Sequence, residues 1–217
     1  MSPSRTAARV LICANGEPPS AASLARFCAA HDLCIAADGA ADWMLGMGQA
    51  PDLVLGDMDS ASKDALTSLP DGAVELALDQ DECDLEKAVR WCLERGATAI
   101  TVVGATGRRF DHSLTTVSIL LALHQEADLR VVSGGSVTRA CSSRMTVSGS
   151  PGDRLSLTVM APAQGVRLSG VRWPLRGETL LPGSRGVSNV MTEATAEVTV
   201  EQGVVLVTHF TGDEPEP

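Results

Sequence analysis

The sequence predicts an α/β protein in two parts: an N-terminal, mostly parallel sheet flanked by helices, then a C-terminal antiparallel β-sandwich. Three observations predict it. Short apolar runs alternate with helical stretches through the first 133 positions, helix signals almost vanish after Ser133-Gly134-Gly135-Ser136, and acidic clusters fall where strands end and helices begin. Alternation of that kind builds βαβ units and a parallel sheet. Short runs separated by Gly, Pro and Ser turns build an antiparallel β domain instead. With 217 residues the chain can bury a proper core as one large domain or two small ones.

Strands of the first part are expected at residues 9–14, 33–37, 53–55, 74–77, 99–103 and 129–132, with helices near 21–30, 40–47, 61–69, 85–95 and 112–124. The apolar run at 10–14 is too short for a secretion-signal core or a membrane span, which leaves a first strand. Within 85–95, Leu85, Ala88, Val89 and Cys92 share one face at helical spacing. The glycine-rich stretch around Gly134 reads as a flexible joint, so residues 1–133 form the α/β domain and 134–217 the sandwich. Its strands are expected at 144–147, 154–160, 165–168, 178–181 and 197–208, and the acidic tail 212–217 is expected to be disordered.

A hydrophobic share of 44% with 20% charged residues is ordinary for a globular protein, and no segment approaches membrane-spanning length. The net charge of −10 argues against nucleic acid or an anionic membrane as the main partner, because phosphate backbones require a basic footprint. The six cysteines (Cys13, Cys28, Cys34, Cys83, Cys92, Cys141) form no CxxC pair and no zinc spacing. They read as reduced, and the compartment as cytoplasmic.

Chemistry concentrates in three segments. Gly56-Asp57-Met58-Asp59-Ser60 follows an apolar run, and Asp79-Gln80-Asp81-Glu82-Cys83-Asp84 follows it in turn. Asp57 and Asp59 at i and i+2 could turn toward one ion, or could form a solvated loop with a capping Asp. The second cluster decides between them: converging ionised carboxylates repel unless a cation sits between them, and Mg²⁺ with its oxygen ligands fits. Asp84 is expected to cap the helix that carries Lys87, one of only two lysines against fifteen arginines, and a phosphate-directed point charge would justify it. Their alternative is a surface ion pair of little weight. The third segment, Val103 to His112, follows a strand and opens a helix, which offers backbone N–H groups to an anion with Arg109 as a bidentate clamp. The alternative is a plain turn with Asp111 as cap and His112 as a surface residue. In the β domain, a Trp such as Trp173 is more often core than ligand platform, and Ser188-Asn189 alone reads as a turn.

Taken in order, these pieces resemble the thiamine pyrophosphokinase family. The matching residues are Asp38-Gly39-Ala40-Ala41, Pro51-Asp52 with Gly56 to Ser60, Asp79-Gln80-Asp81 with Asp84 to Ala88, Gly107 to His112, Gly170 to Leu175, and Ser188-Asn189. The resemblance runs from about Asn15 to about Thr208. It implies a homodimer with active sites between subunits and transfer of a pyrophosphoryl group from ATP to thiamine, giving thiamine diphosphate and AMP. It further implies that Asp57, Asp59 and Asp84 handle Mg²⁺ and the triphosphate, with Asp38 close by. Gln80, Asp81, Lys87, Arg109, Asp111 and His112 would line the nucleotide and acceptor site, and Trp173 would stack on thiamine while Ser188 and Asn189 hold it. Asp111 is the candidate to orient the attacking hydroxyl.

Three positions depart from the family pattern. Arg108 stands where Gly is usual, Cys83 where Thr is, and Thr116 where Asn is. Two other functions share the scaffold: a pyrophosphokinase for another primary alcohol such as a hydroxymethylpterin, and a catalytically idle nucleotide- or thiamine-binding regulator.

Overall fold

In the computed structural model, which describes residues 7–79 and 81–211, the chain divides into two compact units at Ser133/Gly134. The first alternates strands and helices: β1 (Arg9–Cys13), α1 (Ala21–Ala30), β2 (Leu33–Ala37), α2 (Ala40–Gly46), β3 (Leu53–Gly56), α3 (Lys63–Ser68), β4 (Val74–Leu76), α4 (Asp84–Glu94), β5 (Ala99–Val103), α5 (Phe110–Leu123) and β6 (Asp128–Ser133). Its strands lie in the order β6-β5-β1-β2-β3-β4, and every neighbouring pair is parallel. Both faces of β1 beyond Arg9 and of β2 are covered, which is why VLIC and LCIAA are continuous apolar runs rather than alternating ones.

Local chemistry sets the helix starts. Ser20 and Ser62 each accept a backbone N–H three residues on, so α1 and α3 begin there. Asp84 does not cap α4: Cys83 holds the cap position without a side-chain bond, and Asp84 is the first helical residue. Likewise α5 starts at Phe110 with Arg109 at its cap, so Asp111 sits inside the first turn. A carboxylate in either position still favours the positive end of the helix.

The second unit contains β7 (Ser136–Cys141), β8 (Arg144–Ser148), β9 (Arg154–Thr158), β10 (Ala163–Ser169), β11 (Leu175–Leu180), β12 (Asn189–Val190), β13 (Thr195–Thr199) and β14 (Val205–Phe210). They form two antiparallel layers, β12-β9-β14-β7 and β11-β10-β13-β8. Alternate residues of both layers, among them Leu155, Leu157, Val166, Leu168, Ala196, Val198, Val205 and Val207, share one aliphatic core. The expected single strand over 197–208 is two strands, broken at Glu201-Gln202-Gly203, where Gly203 takes a φ of +91°. Strand β7 was not anticipated: Gly134 and Gly135, at φ +53° and +73°, form a turn that leads directly into it. The tail 212–217 lies outside the described residues.

Candidate active site

The chain runs outward from β1 to β4, then returns to place β5 on the other side of β1. Loops leaving the carboxyl ends of β1 and β5 therefore diverge, and an α/β sheet opens its ligand crevice there. A cleft of about 350 Å³ occupies this position, walled by Ala14 to Gly16, by Gly104 to Thr106, and by Asp38, Gly39 and Asp84. The walls meet at its floor, where the Gly16 N–H donates to the Gly104 carbonyl at 2.5 Å and the Glu17 N–H to the Thr106 carbonyl at 2.7 Å. A Cβ on Gly16 would fall 2.4 Å from the Gly104 oxygen, so only glycine permits this approach.

One side of the cleft is acidic. Asp38, at the end of β2, is 2% exposed and accepts the N–H groups of Ser60 and Ala61 at 3.0 Å each. Those bonds bend the loop after β3 so that Asp57 and Asp59 return toward Asp38, and carboxylate oxygens of all three lie within 4.8 Å of one another. Burial pushes the Asp38 carboxyl above its ordinary pKa, against the pull of the two N–H groups. The Ser60 hydroxyl, donating at 2.7 Å, holds Asp59 below its own. Three carboxylates so placed repel until a cation joins them, and an all-oxygen set suits a hard divalent ion. Gly56 lets the loop pass: a Cβ there would fall 2.8 Å from the Asp38 Cβ and 3.1 Å from Asp84 Oδ1. Asp84 lines the cleft outside the group of three and accepts from Lys87 Nζ at 3.2 Å, with Lys87 only 9% exposed.

The other side is basic. Arg108, Arg109 and His112 line it. Arg109 Nε donates to Asp111 Oδ1 at 3.1 Å and Nη2 donates to Oδ2, so the guanidinium expected to clamp phosphate grips Asp111 as a fork. That grip lowers the Asp111 carboxyl to about 2. Thr116, buried under the loop, bonds to the carbonyls of Ala105 at 3.0 Å and His112 at 2.8 Å and ties the loop to α5. Asp81 is exposed, its N–H donating to Asp79 Oδ1 at 2.9 Å, and it does not line the cleft. Gln80 lies outside the described residues.

Sequence reasoning missed Asn15, which follows β1 directly. Its Oδ1 accepts from Arg108 Nη1 at 3.2 Å, and its amide nitrogen lies where a Cβ on Gly39 would fall, 2.3 Å away. The available signal was its place just beyond the carboxyl end of a central strand.

In the second unit, Trp173 is not core: it is 57% exposed, and Val171 two residues earlier fills the interior. Asn189, 4% exposed, holds it in place. Its Oδ1 accepts the N–H groups of Trp173 at 3.1 Å and Val190 at 2.9 Å, and its Nδ2 donates to the Trp173 carbonyl at 2.7 Å. Ser188 takes a left-handed φ of +60°, with its N–H on Ser156 Oγ at 2.9 Å. A groove of about 290 Å³ runs beside Trp173, bounded by Leu175, Glu178, Arg185, Val187 and Asn189.

Comparison with known proteins finds two family matches along the chain. Residues 24–132 match the model of the thiamin pyrophosphokinase catalytic domain, and residues 144–205 that of the thiamin pyrophosphokinase vitamin B1 binding domain. Thiamin pyrophosphokinase 1 of Caenorhabditis elegans is 34% identical over 124 residues, 52% of this chain and 50% of that protein. Thiamine pyrophosphokinase 1 of Oryza sativa subsp. japonica is 27% identical over 177 residues, 73% of this chain and 66% of that one. The chain thus spans about half the length of the first relative and 66% of the second. Among solved structures, thiamine pyrophosphokinase from Bacillus subtilis superposes with a TM-score of 0.81 at 21% identity, covering 94% of this chain and 99% of that one. The protein from Geobacillus thermodenitrificans gives 0.81 at 23%, covering 94% and 97%. At such identities the likeness establishes the fold.

Proposed function

The chain belongs to the thiamin pyrophosphokinase family, and from that premise we propose that it transfers a pyrophosphoryl group from ATP to the hydroxyl of thiamine, giving thiamine diphosphate and AMP. The observation that carries the reading is one cleft lined by the carboxylates Asp38 and Asp84 and by the cations Arg108 and Arg109, with Asp57 and Asp59 bringing further carboxylate oxygens within 4.8 Å of Asp38. Such a cleft suits a metal-bound polyphosphate, because both of its charges find partners.

The donor set is all carboxylate, so it fits Mg²⁺. Asp57 and Asp59, with Asp38 and Asp84 beside them, would hold it. When bound, the ion supplies neutralisation and alignment of the phosphate oxygens. Lys87 keeps Asp84 in place, and Arg109 exchanges Asp111 for a phosphate oxygen. Asp111 is ionised throughout the physiological range and accepts the hydrogen bond of the thiamine hydroxyl. As a carboxylate, a far weaker base than an alkoxide, it orients that hydroxyl toward the β-phosphorus rather than deprotonating it. Positioning and charge neutralisation carry most of such a transfer.

Thiamine is cationic and aromatic, so an exposed, backbone-anchored Trp173 suits it through cation–π attraction, with Ser188 and Asn189 fixing the strand beside the groove. His112, which lines the cleft, belongs to the nucleotide and acceptor site in this reading, whereas Asp81 stands outside the cleft. A homodimer with active sites between subunits completes it, and sedimentation tests that element. The six free cysteines accord with a reducing, cytoplasmic setting, and among the described residues no helix is long and apolar enough to cross a membrane.

The match of residues 144–205 to a vitamin B1 binding domain disfavours a hydroxymethylpterin acceptor, and the match of residues 24–132 to a catalytic domain disfavours an idle regulator. Assay of ATP and Mg²⁺ with each alcohol in turn decides. Turnover with thiamine at least a hundredfold above that with a hydroxymethylpterin is expected; equal rates, or none, would overturn the assignment.

A further inference from the structure

We propose that Arg108, hydrogen-bonded to Asn15, is a polyphosphate-binding residue. The inference rests on the polyphosphate reading of the cleft and deepens it. Three observations support it. First, Arg108 is exposed yet lines the cleft beside Arg109 and His112, so its charge faces the space a polyphosphate would fill. Second, its Nη1 donates at 3.2 Å to Asn15 Oδ1, which joins the loop leaving β5 to the loop leaving β1 across the divergence of the sheet. Third, the backbone on either side is pinned. Before it, Gly107 at φ +102° lies against the Glu17 side chain and Thr116 holds Ala105; after it, the Arg109 carbonyl accepts from the Ser113 N–H and hydroxyl at 3.1 Å each, so Arg108 moves by its side chain while its Cα stays in place.

The choice of partner matters. Arg109 spends its guanidinium on a carboxylate, whereas that of Arg108 meets a neutral amide oxygen. A guanidinium bond to an oxyanion is roughly twice as strong as one to a neutral acceptor. An incoming polyphosphate therefore takes Arg108 from Asn15 more readily than it takes Arg109 from Asp111. The side chain then closes the mouth over the phosphates and leaves Asn15 packed against Gly39. A second fork on the basic rim favours a chain of several phosphates over a single one, so Arg108 sets specificity for nucleoside triphosphate against the AMP product.

Calorimetry on the full chain with Mg²⁺ tests this, using inorganic tripolyphosphate and AMP as ligands against Arg108→Gly, Arg108→Gln and Arg108→Lys. Glutamine retains a donor for Asn15 and loses the charge. The expected result is a dissociation constant for tripolyphosphate raised about tenfold in Arg108→Gly and Arg108→Gln, and within about threefold of native in Arg108→Lys. AMP binding stays within about twofold in all three. Native affinity in Arg108→Gly, native affinity in Arg108→Gln, or an equal loss for AMP would each overturn the proposal. If the unaltered protein bound no tripolyphosphate, the reading of the cleft would fall with it. Binding that survives all three changes removes only the role of Arg108.

Discussion

Asn189 offers the sharpest test of how the second unit builds its surface. Replacing it with alanine deletes three hydrogen bonds, two to the backbone of Trp173 and one to Val190, at 2.7–3.1 Å. Each bond contributes about 1 kcal/mol net, so a first sum is about 3 kcal/mol. Water reaches the exposed Trp173 segment and recovers part of that, which leaves about 2 kcal/mol. For a chain of this size the loss lowers Tm by about 4–8 °C. Asn189→Asp retains the acceptor but sets an oxygen against the Trp173 carbonyl, and should lose at least as much. Because Asn189 acts by fixing the Trp173 backbone, the KM for thiamine rises about tenfold while that for ATP stays put. Thermal melts and initial rates on the two variants measure both effects. An Asn189→Ala protein with native Tm and native thiamine KM would refute the reasoning, since the three bonds would then be worth nothing.

Other changes should separate as clearly. Trp173→Ala, at a side chain already 57% exposed, leaves stability within about 0.5 kcal/mol by urea titration yet raises the thiamine KM about tenfold. Gly56→Ala drives a methyl into Asp38 and Asp84; it costs about 1–3 kcal/mol of stability and, by displacing the carboxylates, about a hundredfold in kcat/KM. His31 is held by the Phe27 carbonyl and the Thr101 hydroxyl, and burial lowers its pKa from 6.5. The unfolded chain therefore binds that proton more tightly. The His31 contribution is complete above about pH 6.5 and is lost as pH falls toward the folded value. Urea midpoints at pH 5 and pH 7.5 should differ more in the unaltered protein than in His31→Gln; an equal difference would contradict the assignment.

The central strands of the N-terminal sheet were legible because they are buried on both faces: residues 33–37 are a continuous apolar run, 99–103 one interrupted only by Thr101, and no helix period competes with them. Strand β7 was hidden by Gly134 and Gly135, which read as a joint and turn out to be a tight turn, and by a sequence, SVTRAC, that keeps its middle residues half-buried. The short β12 was hidden in a segment whose Ser188-Asn189 alone signals a turn. At the cleft, Asp57 and Asp59 could be found from their acidity, since converging carboxylates have few structural uses. The clamp by Asp38 could not, because its partners Ser60 and Ala61 lie more than twenty residues away and donate only backbone N–H groups. Nor could the pairing of Arg109 with Asp111, which depends on α5 starting two residues before the expected helix. Trp173 went against the general preference of tryptophan for the interior because the aliphatic side chains of two four-stranded layers already fill the core.

The central claim is pyrophosphoryl transfer at the carboxylate-lined cleft, and its most direct test is turnover of ATP with thiamine and Mg²⁺, following AMP and thiamine diphosphate together. Equal amounts of the two products, with Asp57→Asn slower by about a hundredfold or more, are the predicted result. ADP in place of AMP, or an Asp57→Asn variant with native rates, would contradict the account.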